Sequence, residues 1–154
     1  MLNPSVNAYR RLDPHYEAPN QIKVSAVDRG AMIRIPAGNE RSARLEIRSV
    51  APDANPYLAL FALIGTALRG KPLTKDEGKR DRVRYLPGNI HDALRLYRAS
   101  DFLRGLLGSE PHEKYAHHKQ ASADRNPKEL GSIVKTSEVL FHHDVTTQML
   151  WHKF

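Results

Sequence analysis

Between Gln21 and Val50 apolar and polar residues alternate in three short runs, QIKVSAV, AMIRIPA and ARLEIRSV. Alternation of this kind predicts three short strands. The intervening segments, which contain Asp28-Arg29-Gly30 and Gly38-Asn39-Glu40, carry the residues that turns favour. After Val50 the spacing changes to that of a helix. In APDANPYLALFALIGTALRGK either Asp53 or Asn55 can cap a helix whose first position is Pro56 and whose end lies near Gly70. Tyr57, Phe61 and Leu68 fall on one stripe of that helix, and such a stripe predicts core packing. Residues 71–84 are charged and rich in turn formers, so they read as a surface connection. A second helix is predicted to start near Asn89, in LPGNIHDALRLYRAS. Helical spacing continues over 100–107 and 110–124, with Pro111 suited to a first turn and Pro127 expected to interrupt the helix. The chain closes in an amphipathic stretch, TTQMLWHKF, whose Met149, Leu150 and Trp151 need a surface to pack on. The expected fold is α+β: antiparallel strands within residues 1–50 and a mainly helical remainder over 51–154, together one domain.

Composition supports a folded chain. With 154 residues, 40% hydrophobic and 27% charged, the sequence lies in the globular range and away from disordered or collagen-like usage. The absence of cysteine excludes disulfides and thiolate metal sites and suits a reducing compartment, which makes cytoplasm the expected location. The longest apolar run, around residues 57–68, is broken by Gly65 and Thr66 and falls short of the ~20 residues that a membrane span requires. The opening MLNPSVNAYRRLDP lacks the apolar centre of a signal peptide. A net charge of +7 points to an anionic partner. The arginines stand singly at alternate positions and not in runs, which favours a defined pocket over a surface for nucleic acid.

The candidate chemistry is concentrated in the third predicted strand. Alternation puts Arg44, Glu46 and Arg48 on one face and Leu45 and Ile47 on the other. For one strand alone, a solvated ion-paired face worth under ~1 kcal/mol is the ordinary reading. The preceding strand changes this, because Arg34 lies between Ile33 and Ile35 and adds a cation from a neighbouring strand. A carboxylate among guanidiniums stays ionised, as a hard divalent ligand must, and the guanidiniums suit phosphate oxygens. Neither GxxxxGK[ST] nor GxGxxG occurs, so side chains would have to hold any nucleotide phosphates. The pairs His117-His118 and His142-His143 do not predict a metal site, since adjacent helical residues point in different directions and no third ligand is at hand.

The runs NPSVNAYRRLDPHYEAP, DRGAMIRIP, RLEIR and PDANPYL resemble, in order and spacing, the catalytic-domain motifs of glutamine synthetases. The resemblance is dense from residue 3 to residue 70, looser through LPGNIHDAL and 112–119, and weak over the last thirty residues or so. It implies a carboxy-terminal part of the catalytic domain. Arg11 and Arg48 would then bind the carboxylates of glutamate, and Glu17 would sit on a flap that closes over it. Arg29 would reach the transferred phosphoryl group and the substrate, while Arg34, Arg44 and Arg41 would contact ATP. Glu46 would be a ligand of Mg²⁺ or Mn²⁺.

The implied reaction belongs to glutamine biosynthesis and nitrogen metabolism. ATP phosphorylates the γ-carboxylate of glutamate, and ammonia displaces the phosphate. The implied assembly is a ring-type homo-oligomer, a dodecamer in full-length form, without nucleic-acid or membrane partners. The family's amino-terminal domain and the first half of its catalytic domain have no counterpart here, so the chain by itself is expected to be inactive. Tyr85, before Leu86-Pro87, reads as part of the following helix start and not as an adenylylation site. A γ-glutamyl ligase for an amine or polyamine is the alternative within the family. A basic nucleic-acid module and a purely assembly-forming element are the alternatives outside it.

Overall fold

The computed structural model describes residues 1–12, 19–71 and 84–140, and of Arg10 and residues 125–140 it describes the backbone alone. Three strands, β1 (Gln21–Ser25), β2 (Ala31–Arg34) and β3 (Glu46–Ile47), form one sheet in the order β1-β2-β3. β2 and β3 are antiparallel, with Ile33 opposite Ile47 and Arg34 opposite Glu46. β1 and β2 are parallel, with Val24 beside Ile33 and Ser25 beside Arg34. The fold is therefore α+β as expected, but the sheet is mixed and not wholly antiparallel.

Side chains in the 26–30 connection explain this. Ser25 Oγ accepts from the amides of Val27 (3.3 Å) and Asp28 (3.0 Å), and Asp28 Oδ1 accepts from Gly30 N at 2.7 Å. These local bonds displace a tight hairpin turn. An extended chain reaches ~3.3–3.6 Å per residue, so residues 26–30 can return along a strand as short as β1 without a crossover helix. The third strand is shorter than the alternation of residues 43–50 implied. Asn39 Oδ1 captures the amides of Arg41 and Ser42, each at 3.1 Å, and holds the preceding segment in a turn.

Two segments extend the sheet's surroundings. A 3-10 helix, Asn7–Leu12, follows a stretch laid against the end of β3, where Ala51 N donates to Leu2 O (2.9 Å) and Asn3 Nδ2 to Ser49 O (3.0 Å). On the other side of β1, Ile22 N donates to Arg84 O and Leu86 N to Asn20 O, both at 2.8 Å, around an antiparallel bridge between Gln21 and Tyr85. Tyr85 thus belongs to the sheet edge. The helix start assigned to it lies further on, at Ile90, because Asn89 supplies the cap there.

The helices are α1 (Pro56–Arg69), α2 (Ile90–Arg98), α3 (Asp101–Leu107) and α4 (Ser109–Leu140). Their starts follow from capping. Asn55 Oδ1 accepts from Tyr57 N and Leu58 N, Asn89 Oδ1 from Asp92 N, and Ser100 Oγ from Leu103 N. Gly108, at φ 86, separates α3 from α4 in a conformation that glycine tolerates. α4 runs through Pro127, contrary to the expected interruption. Proline's fixed φ is itself helical; it removes one donor and crowds the preceding turn, which costs stability without obliging the helix to stop.

The core sits between α2, α4 and the amino-terminal segment. Ile90, Leu94 and Ala123 are buried together, with Val6 and Tyr9 packed against them. His112 of α4 is fully buried and stacks on Tyr97 of α2, with ring centroids 4.3 Å apart and planes within 9°. α1 does not bury the stripe expected of it: Tyr57, Phe61 and Leu68 are exposed, and the buried residues of the helix are Ala59 and Ala62. Helical periodicity shows that one face is apolar, but not that the face is covered within this chain.

Candidate active site

Antiparallel pairing sets Arg34 directly across from Glu46, so both side chains leave the same face of the sheet. Arg34 Nε lies 2.8 Å from Glu46 Oε2 as an ion pair, and Arg34 Nη2 donates to Oε1 at 3.1 Å. Arg44 Nε approaches Oε1 from the other side at 2.8 Å. The hydrogen bond from Arg34, with a further contribution from Arg44, holds the Glu46 carboxyl below the usual carboxylate range. The cluster expected from alternation is therefore formed, and its carboxylate is an anion between two cations.

Arg48 and Arg11 make a second set of contacts at the end of β3. Arg48 N donates to Met32 O at 2.9 Å, which carries the ladder one residue beyond Ile47 and keeps Arg48 on the face of Glu46. The Arg48 guanidinium donates to the carbonyl oxygen of Arg29. Arg11 reaches across from the 3-10 helix, with Nη1 donating to Arg48 O (3.1 Å) and Nη2 to Val50 O (3.0 Å). Burial and the nearby Arg48 charge both act to lower the Arg11 pKa, without bringing an arginine near neutrality at ordinary pH.

Arg29 is exposed on the 26–30 turn, and its carbonyl group accepts from the Arg48 guanidinium. Arg41 is exposed on the 39–42 turn, where its amide is tied to Asn39. Glu17 lies outside the described residues, as do His142-His143 and the Met149–Trp151 end.

The turn read in the sequence at Asp28-Arg29-Gly30 is formed, with Lys23 as a partner of Asp28 that the sequence reading did not name. Their ion pair and the bond from Gly30 N order the turn that presents Arg29, and the Lys23 contact is the main reason that the Asp28 carboxyl lies below its ordinary pKa.

The same residues decide what the site can hold. A carboxylate offers about four lone-pair directions. Arg34 and Arg44 both hydrogen-bond Oε1 of Glu46, which leaves Oε2, ion-paired with Arg34, able to accept further bonds. Among the described residues no group of three or more His, Cys, Asp or Glu could hold a metal ion. The guanidiniums therefore suit phosphate oxygens, and among the described residues Glu46 offers a divalent ion a carboxylate without a complete coordination shell.

A pH dependence follows. A carboxyl whose pKa is lower folded than unfolded contributes stability above the unfolded value, and that contribution is lost as pH falls through the folded value. Glu46 and Asp28 are both of this kind. The thermal unfolding midpoint of the chain should be nearly level from pH 7 to about 5 and fall below about pH 4. Glu46→Gln should make that fall shallower, as measured by circular dichroism across the range. An identical pH profile for the variant would contradict the ion-paired state.

Comparison with known proteins agrees with this geometry. Residues 1–133 match the family model for the glutamine synthetase catalytic domain. The chain is similar to the glutamine synthetase of Halobacterium salinarum, 41% identical over 135 residues that cover 78% of this chain and 30% of the relative. It is also similar to those of Thermus thermophilus, 36% identical over 139 residues, and Staphylococcus aureus, 33% identical over 139 residues, with 80% of this chain and 31% of the relative covered in each case. The chain spans under a third of the length of these relatives. No helix among the described residues is long and apolar enough to cross a membrane. With its RLEIR strand built into an arginine–glutamate cluster and the family match running over most of its length, the chain belongs to the glutamine synthetase catalytic-domain family.

Proposed function

We propose that this chain provides the arginine-rich part of the active site of an ATP-dependent glutamate–ammonia ligase that works through γ-glutamyl phosphate. The observation that carries this reading is Glu46 held ionised between Arg34 and Arg44, with Arg11 bonded to the Arg48 carbonyl, and the Arg48 guanidinium to that of Arg29, at the end of the same strand. Arg34 and Arg44 would contact the phosphates of ATP, joined by Arg41 from its exposed turn. Arg29 would meet the transferred phosphoryl group, whose negative charge must be balanced as it moves. Arg11 and Arg48 would hold the glutamate carboxylates with the N–H groups that their backbone contacts leave over, since a guanidinium has five donors. Glu17 would close the site against water. Mg²⁺ or Mn²⁺, when bound, would draw charge from the phosphoryl oxygens, and Glu46 is the residue of this chain that would ligate it.

The isolated chain should form no glutamine, because no group of three or more metal-ligating side chains is found among its described residues. A working assay requires the rest of the enzyme. In a chimera, this chain replaces the matched part of the 41%-identical relative. The chimera should convert glutamate, ATP and ammonium to glutamine, phosphate and ADP, and should prefer ammonium over a panel of primary amines and polyamines. Turnover with amines alone would favour a γ-glutamyl-amine ligase, and glutamine formation by the isolated chain would contradict the partial-site reading. A cytoplasmic, ring-type homo-oligomer, dodecameric at full length, completes the proposal, with the +7 charge serving small anions and not nucleic acid. Tight nucleic-acid binding that weakens steeply with salt would count against it.

A further inference from the structure

Lysine is almost never buried without a partner, yet Lys119 of α4 is only 7% exposed. The contact found for its ammonium group among the described residues is the ring of Tyr115, with Nζ 5.8 Å from the centroid. Together with Asn3, Tyr9, Leu94, Tyr97 and Tyr115 it lines an open cavity of about 30 Å³ between the amino-terminal segment, α2 and α4. The arginine–glutamate cluster supplies none of these residues. Asn3 Nδ2 donates to Ser49 O, but Asn3 Oδ1 is buried and has no hydrogen-bond partner among the described residues. Burial lowers the pKa of Lys119, an effect that the charge of Asp53 only partly offsets. Burial also raises the pKa values of Tyr9, Tyr97 and Tyr115, so their hydroxyls stay protonated.

We propose that Lys119 is a modification site whose amine accepts a small acyl group from an acyl phosphate. The amine nitrogen attacks the acyl carbon, a C–N bond forms, the C–O bond to phosphate breaks, and the proton released by the amine leaves with inorganic phosphate. The product suits the cavity better than the ammonium group does. A neutral amide carries no charge for burial to penalise. Its N–H can meet the unpartnered Oδ1 of Asn3, and its carbonyl oxygen can accept from a tyrosine hydroxyl. At ~10–15 Å³ for each buried water, the cavity has room for about two waters or for a group the size of acetyl. A bound anion is less well served, because Asn3 Oδ1 offers it an acceptor where it needs a donor. None of these residues has a part in the ligase reaction, so the site stands or falls independently of it.

The test treats the chain with acetyl phosphate at about pH 7.5, where an exposed lysine is almost wholly protonated, and follows each lysine by peptide mass spectrometry. Lys114 is the internal control: it lies on the same helix, with its side chain 75% exposed and ion-paired to Glu110. Lys119 should be acetylated about 10-fold or more faster than Lys114, and the excess should vanish in guanidinium chloride, where the cavity is lost. Asn3→Asp adds a carboxylate to the cavity wall, which should hold the amine protonated and slow Lys119 about 10-fold while leaving Lys114 unchanged. Circular dichroism checks that this variant is folded, and if it is not, the two measurements on the unaltered chain decide alone. Acetylation of Lys119 no faster than that of Lys114, an excess that persists in denaturant, or an unchanged Lys119 rate in folded Asn3→Asp would each overturn the proposal.

Discussion

Arg34→Ala in the chimeric enzyme should lower kcat for ATP-dependent glutamine formation by about 10²–10³-fold, the loss of ~2.7–4 kcal/mol that follows removal of one preorganised donor facing developing charge. The expectation comes from how Arg34 is held. Its partner residue across the ladder is Glu46, and one hydrogen bond with an ion pair holds the guanidinium against the carboxylate before any substrate arrives. Such a group does not have to reorganise as charge moves on the phosphoryl oxygens. Arg34→Lys keeps the charge and loses the fork, so it should recover only part of the rate. Isothermal titration of ATP alongside steady-state kinetics would separate weaker binding from slower transfer. A variant with wild-type kcat would show that Arg34 serves only the ion pair.

His112→Ala should destabilise the isolated chain by ~3 kcal/mol, in the range that truncation of a large buried ring produces. His112 is the largest fully buried side chain described. It stacks on Tyr97, its Nε2 lies 3.0 Å from the carbonyl oxygen of the same residue, and Tyr97 Oη donates back to His112 O at 3.4 Å. These contacts join α2 to α4, the two helices that enclose the core. Truncation would open a cavity and remove the stack at once. Urea unfolding should show the loss, and the thermal midpoint should fall by about 6–12 °C, given ~2–4 °C per kcal/mol for a chain of this size. Tyr97→Phe keeps the stack and removes one long hydrogen bond, so it should cost under ~1 kcal/mol. Equal effects for the two variants would contradict the packing account.

The site was legible where local chemistry decides geometry. Alternation in RLEIR and MIRIP was enough to place Glu46 with Arg34 and Arg44, because an antiparallel register aligns faces as well as residues. Helix starts at Asn55, Asn89 and Ser100 were legible because a capping side chain acts on amides two or three residues away. What depended on distant partners was not. The direction of β1 is set by the bonds of Ser25 and Asp28 within the connection, and no alternation pattern reports strand direction. Tyr85 looked like a helix start because its local sequence leads into Asn89, yet its neighbours pair with β1, more than sixty residues earlier. Pro127 predicted a break on propensity alone, and the surrounding helix overrides it. The stripe Tyr57, Phe61 and Leu68 was recognised as an apolar face, and its exposure shows that none of the described residues covers it.

Arg11 shows what a role taken from resemblance leaves out. Its guanidinium spans the carbonyls of Arg48 and Val50, so in this structure it also anchors the strand that carries Glu46. A residue that both anchors the strand and meets substrate would lower stability and substrate affinity together when replaced.

Everything proposed for the reaction depends on Glu46 being an ionised group that meets the metal–nucleotide substrate, and not merely a surface ion pair. The direct test is ATP-dependent glutamine formation by the chimera with Glu46→Ala, titrated with Mn²⁺ and compared with the unaltered chimera at equal folded fraction. The account predicts turnover reduced to background together with a large loss of metal affinity. Near-normal turnover and unchanged metal dependence in Glu46→Ala would contradict it.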